Sequence, residues 1–262
     1  MRVSSKRYRI RKKKSILKNR FFRLAVLITF LLTAISWLFF FCPAFQVKKI
    51  LISGGGRISG QEIERLVWPK IQKKILGFET KAILLADPDS IKILVSEKFP
   101  LIDELKVKRL LPDSLLIEIV ERKAIGIWRN QESYFSLDKK GVIFEEILKE
   151  TLSDLTIESK QFQGEISLGK NVIEEKRLLQ ILTVQKTIEE KAEIKAKEFT
   201  FFENEARLDA KTKEGWKIFF DLNGDLNWQL IELELVLEKE LPQEKRQGLE
   251  YLDLRFNKVY YK

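Results

Sequence analysis

The sequence predicts an α+β chain with a single N-terminal transmembrane helix, a β-α-α-β-β domain, and then a β-rich domain with flanking helices. Three observations predict this. A charge-free run of nineteen residues, Leu24 to Cys42, follows a tail that carries eleven Lys and Arg within residues 1–23 and no acid. Capping and strand signals between Phe45 and Arg122 fall in the order strand, helix, helix, strand, strand. From Ala124 onward, short β-branched and aromatic runs separated by Asp and Gly turns dominate, with two stretches of helical spacing.

Composition narrows the chemistry. The chain has 262 residues, 45 % of them hydrophobic, enough to bury a real core in one or two domains. It contains no histidine, which excludes Ser-His-Asp and Cys-His nucleophile systems and His-based zinc sites. Its single cysteine, Cys42, can form neither an internal disulfide nor a multi-cysteine metal centre. The formal net charge is +10, but the tail takes eleven of the 48 basic residues and none of the 38 acidic ones, so the remainder is close to neutral. That is the distribution of a topology signal and not of a nucleic-acid-binding surface.

As a helix, Leu24 to Cys42 reaches about 28 Å at ~1.5 Å per residue, the depth of a bilayer core. Twelve of its residues are Leu, Ile, Val or Phe. The run is longer than a cleaved signal's apolar core and ends in Trp37 and Phe39 to Phe41 without small residues at a cleavage site, so an uncleaved signal anchor is expected. The positive-inside rule puts residues 1–23 in the cytoplasm and everything from about Pro43 outside, and the basic tail suits anionic membrane lipid.

Phe45 to Ser53 reads as a strand that stops at the turn Gly54-Gly55-Gly56; no Gly-Lys-Ser/Thr follows, so this is not a phosphate loop. Ser59 and Glu62 have capping-box spacing, predicting a helix to about Val67 that Pro69 limits. Asp87-Pro88 starts a second helix, with Ile91, Leu94, Val95 and Phe99 at helical spacing and Phe99-Pro100 as its end. Ile102 to Arg109 and Ser114 to Arg122 are strands joined by Leu111-Pro112-Asp113. A helix is predicted over Val172 to Glu190, where Leu178, Ile181, Leu182 and Ile188 share a face. Strands follow at Glu198 to Glu203, Ala206 to Thr212 and Trp216 to Asp221, and Asn223-Gly224 breaks the chain. Asn227 to Glu240 fits both periods; helix is favoured because Leu and Glu are good helix formers and the run exceeds a normal strand.

Residues 45–122, placed directly after the span, resemble a polypeptide-transport-associated (POTRA) domain. Several local runs are similar to the FtsQ/DivIB cell-division family. Pro112-Asp113-Ser114-Leu115-Leu116-Ile117-Glu118-Ile119-Val120-Glu121-Arg122 resembles that family's last POTRA strand, although Ala124 stands where the family commonly has Pro. Asp138-Lys139-Lys140-Gly141-Val142-Ile143-Phe144, after the strand Ser133 to Leu137, resembles its strand, Asp-x-x-Gly turn and strand. Tyr251-Leu252-Asp253-Leu254-Arg255-Phe256, leading to Val259-Tyr260-Tyr261, resembles its closing aromatic, Asp-Leu-Arg, aromatic and final strand. The organisation is then a basic cytoplasmic tail (1–23), a signal anchor (24–42), a POTRA-like domain (45–122) and a β-rich FtsQ/DivIB-like domain (123–262).

The resemblance implies a non-enzymatic scaffold of the divisome that acts at the septum and docks FtsB/DivIC-like and FtsL-like single-span partners near the last strand. No cofactor, metal or small-molecule substrate is implied. Carried over by position, Tyr251, Arg255, Phe256, Val259 and Tyr260 are the candidate partner-binding residues. Strand addition at an open C-terminal sheet edge is the expected mechanism. Two other classes fit parts of the sequence. A POTRA-bearing transport factor is the alternative, although outer-membrane members of that class carry a barrel for which this chain has no room. An anchored two-carboxylate wall hydrolase is disfavoured, because the acids stand beside Lys or Arg and none sits alone in an apolar run.

Overall fold

The structure is a computed structural model that describes residues 20–75, 77–148, 155–160, 162, 164, 166–191 and 193–262; the basic tail before Arg20 lies outside the described residues. It is α+β, with an N-terminal apolar helix, a three-stranded sheet and a nine-stranded sheet. The described residues fall into two compact units.

The first unit comprises the residues up to Ser53, Ile58–Lys92 and Lys106–Glu118. It opens with α1, Arg20–Phe41, none of whose residues is buried and which is long and apolar enough to cross a membrane. Its backbone satisfies itself, and Thr29 and Thr33 return their hydroxyl protons to the carbonyls of Ala25 and Thr29, four residues back. The expected first strand is shorter than its apolar run. Pro43–Phe45 form a 3-10 turn, Gln46 bridges to Ala82, and β1 begins only at Lys49, running to Ser53.

Helix α2, Gly60–Ile71, passes through Pro69 where the sequence predicts a stop. Pro69 sits in the last turn, where its missing N–H removes one rung of the ladder, the bond to the Arg65 carbonyl, and the helix goes on for only two residues. Ser59 is the N-cap, but its hydroxyl makes no capping bond; its carbonyl accepts from the N–H groups of Glu62 (3.0 Å) and Ile63 (3.3 Å) instead. A two-stranded hairpin then follows that sequence patterning missed, β2 at Lys73–Ile75 and β3 at Phe78–Thr80. Helix α3, Pro88–Lys98, starts as predicted, with the Asp87 carboxylate accepting from the N–H of Asp89.

Strands β4 (Ile102–Leu110) and β5 (Ser114–Glu121) join β1 in a sheet of order β1-β5-β4, in which β1 runs parallel to β5 and Lys49–Ser53 register with Ser114–Glu118. The Leu111–Pro112 peptide between β4 and β5 is cis. Val47, Ile50, Ile63, Val67, Ile71, Ile83, Ile91, Leu115 and Ile117 are buried in this unit.

The second unit comprises Gly54–Arg57, Ile93–Leu105 and Ile119–Lys262. Its strands are β6 (Gly126–Asn130), β7 (Ser133–Leu137), β8 (Ile143–Ile147), β9 (Thr156–Lys160), β10 (Ala196–Phe202), β11 (Arg207–Thr212), β12 (Lys217–Asp221), β13 (Tyr251–Asp253) and β14 (Tyr260–Tyr261). They form one sheet in the order β14-β13-β12-β11-β10-β9-β6-β7-β8. Most neighbours are antiparallel; β9 is parallel to both β6 and β10, and β13 is parallel to β12. Helices α4 (Glu175–Lys191) and α5 (Leu226–Lys239) supply the crossovers. The ambiguous segment is therefore helical, with Asp225 as its N-cap accepting from the N–H of Trp228 at 3.1 Å.

Both helices bury an apolar stripe in the same core as the sheet. Leu178, Ile181, Val184 and Ile188 come from α4 and Leu230, Leu233 and Leu237 from α5, joined by Phe199, Phe201, Leu208, Ala210, Ile218, Phe220, Leu252 and Leu254. Alternation along each strand puts Phe202, Arg207, Asp209, Phe219, Tyr251 and Asp253 on the opposite face. Among the described residues, α4 and α5 pack on the other face, and this one carries charge and aromatic rings.

Candidate partner-binding edge

The sheet ends at β14, and no strand lies beyond it among the described residues. Leu252 registers with Tyr261 and Asp253 with Tyr260. Lys262 continues the ladder: its N–H donates to the Tyr251 carbonyl (3.2 Å) and its carbonyl accepts from the N–H groups of Glu250 (2.6 Å) and Tyr251 (3.3 Å). In an antiparallel pair, residues alternate between turning both backbone groups toward the partner and turning both away. With Lys262 turned inward, the N–H and C=O of Tyr261 face outward, where an added strand would meet them.

The structure brings the five sequence-predicted residues together at this corner, in different environments. Phe256 and Tyr260 are 55 % and 53 % exposed, and their rings meet edge to face at 5.9 Å. Tyr251 is half-buried and stacks on Phe219, with centroids 5.5 Å apart. Val259 is half-buried and packs against the core. Arg255 folds back onto Asp253, donating through Nε at 2.9 Å and through a terminal nitrogen at 2.7 Å, while its backbone N–H donates to the same carboxylate at 3.1 Å.

Sequence reasoning missed the residues that extend this corner across the open face. Arg207 donates to both oxygens of Asp209, at 2.6 and 2.8 Å. Its guanidinium lies over the rings of Phe202 (4.8 Å) and Phe219 (4.5 Å), and that of Arg255 lies over Phe219 (5.6 Å) and Phe256 (5.3 Å). The result is one row from β10 through β12 to the segment after β13, Phe202, Arg207, Phe219, Arg255 and Phe256, in which each arginine is flanked by rings and held flat by its own aspartate. Tyr261 adds a ring at the edge itself and donates its hydroxyl to Glu240 at 3.3 Å. Ile218-Phe219-Phe220 is apolar at three successive positions, so alternation alone could not assign Phe219 to a face.

The two aspartates answer burial differently. Burial pushes both carboxyls up; at Asp253 the hydrogen bonds and charge of Arg255 outweigh it and hold the group below the usual carboxylate range, whereas at Asp209 burial wins over Arg207 and the group lies above it. The signs follow by linkage. Asp253 stabilises the fold above about pH 4 and loses that contribution as the pH falls through its lowered value, while acidification relieves Asp209. Asp253→Asn is therefore expected to cost about 1–3 kcal/mol at pH 7 and less at pH 2, measured as denaturant midpoints at the two pH values. Equal loss at both would assign the effect to shape and not to charge.

Among the described residues, no group of three or more Asp, Glu or Cys side chains is gathered to hold a metal ion. The site offers main-chain donors and acceptors, aromatic surface and fixed arginines, which is the equipment of recognition.

No curated protein matches the chain in sequence. A family model described as POTRA domain, FtsQ-type, matches residues 45–122. That match supports the resemblance to the FtsQ/DivIB family over the POTRA domain, and a β-rich region ending in this edge follows it.

Proposed function

We propose that the chain is a non-enzymatic bitopic membrane scaffold of the divisome that captures an extended segment of another division membrane protein on the outer edge of β14. The observation that carries this reading is the open end of a nine-stranded sheet, lined by exposed Phe256, Tyr260 and Tyr261. An added strand gains main-chain hydrogen bonds from the edge, and the aromatic rings select its side chains. The partners are of the FtsB/DivIC-like and FtsL-like single-span type. The basic tail orients the chain with residues 1–23 in the cytoplasm, the POTRA domain and the 123–262 domain outside, and the whole at the septum.

The test is co-purification of the full chain with its FtsB/DivIC-type partner from membranes in which both are expressed. Phe256→Ala and Tyr260→Glu are each expected to lower capture about tenfold or more, with thermal unfolding unchanged because both side chains are more than half exposed. Equal loss of capture and of stability would reassign the two rings to the core. A fluorescent tag on the N-terminus is expected at the division plane; uniform envelope fluorescence from a functional copy would favour the transport-factor reading.

A further inference from the structure

The β2–β3 hairpin has no place in either large sheet. It is two strands of three residues, Lys73 to Ile75 against Phe78 to Thr80, with Gly77 at φ +89° in the turn. Such a hairpin is marginal in water unless it packs on something. What it packs on is the end of α1. Thr80 donates its hydroxyl to the carbonyl of Phe40, and Gln46 Nε2 donates to the same carbonyl at 2.9 Å. That carbonyl belongs to the last turn of α1, where helix acceptors lack helical donors. The Phe78 ring meets the Phe41 ring edge to face at 6.1 Å.

These contacts fix the depth of the hairpin. Trp37, a residue type that settles at a membrane–water interface, stands one helical turn before Phe41 at the end of α1. A ring in contact with Phe41 lies at that level. Phe78 is nevertheless 68 % exposed, among the most exposed of the large apolar side chains and as bare as those of the span itself. Residues 70–81 also carry four lysines, Lys70, Lys73, Lys74 and Lys81, against one acid, Glu79. Lys81 lies 5.1 Å over the half-buried Trp68 ring. An apolar ring at interface depth on a lysine-rich hairpin matches the boundary between anionic headgroups and acyl chains.

We propose that the Lys73–Thr80 hairpin is a second membrane contact, inserting Phe78 into the bilayer interface beside the end of α1 and setting its lysines on anionic headgroups. The contact clamps the start of the first unit to the lipid surface. It rests on α1 spanning the membrane and is independent of the strand capture proposed above.

The experiment uses the full chain in vesicles of phosphatidylethanolamine and phosphatidylglycerol, labelled with an environment-sensitive fluorophore at Lys74→Cys in a Cys42→Ser background. Losing Lys74 works against the expected result. Lipids carrying a shallow spin label are expected to quench this site at least threefold more than the same fluorophore at Lys245→Cys in the second unit. Adding Phe78→Asp, at an exposed side chain, is expected to bring quenching down to the Lys245→Cys level. The wild-type chain labelled at Cys42 reports the span separately. Quenching at Cys42 with none above the reference at position 74, or quenching at 74 that survives Phe78→Asp, overturns the hairpin contact while the span stands. No quenching at Cys42 overturns the span and the hairpin contact together.

Discussion

Gly141→Ala is expected to destabilise the second unit by about 2–5 kcal/mol, adding the cost of a left-handed residue to that of an overpacked contact. Gly141 closes the Asp-x-x-Gly turn with φ +79°, and a Cβ there would lie 2.0 Å from the Ile173 carbonyl oxygen. The neighbour cannot move away cheaply. The Gly141 carbonyl accepts from the N–H of Val172 at 2.8 Å, and Val172 and Ile173 are both buried in the core. Denaturant unfolding followed through the buried Trp128 and Trp216 measures the loss. A change under 1 kcal/mol would show that the 172–173 segment yields and that the turn glycine serves only its backbone angle.

Asp138→Ala is expected to cost about 2–4 kcal/mol, because two turn N–H donors lose their acceptor. Asp138 is 2 % exposed and pairs with Arg122, while its other oxygen accepts from the N–H groups of Lys140 (2.9 Å) and Val142 (2.8 Å). Arg122 retains the Pro100 carbonyl at 3.0 Å and Asp103 at 3.5 Å, so its charge is not stranded, but two turn donors lose their acceptor. Asp138→Asn separates the two roles, since an amide oxygen still accepts from the turn. It is expected to recover part of the loss in the same unfolding assay. Full recovery would mean that the charge pair with Arg122 contributes nothing measurable.

Both predictions concern a motif visible in the sequence, and they show how far sequence goes. Asp138 and Gly141 have turn spacing, and the strands on either side follow from their β-branched and aromatic content. That Gly141 must accept Ile173 at van der Waals distance depends on a segment some thirty residues away, which spacing does not reveal. Pro69 is the reverse case. Its residue type argues for a helix stop, yet α2 runs on to Ile71 because a proline in the last turn costs one bond. The hairpin at Lys73–Thr80 escaped notice because three-residue strands are too short for a period to register.

By itself the sequence determined the charge-free span behind its basic tail, the five helices of the described residues, most strands of the large sheet, and the closing Tyr251 to Tyr261 pattern. These are local signals, set by hydrophobic period, capping chemistry and turn residues within a few positions of one another. Tertiary structure alone decided that β9 enters parallel between β6 and β10, that nine strands make one sheet ending at β14, and that Phe202, Arg207 and Phe219 on three strands line up with Arg255 and Phe256 beyond β13. The order of strands and the neighbours of a ring are fixed by contacts between residues far apart in the chain, and no periodicity along the chain encodes them.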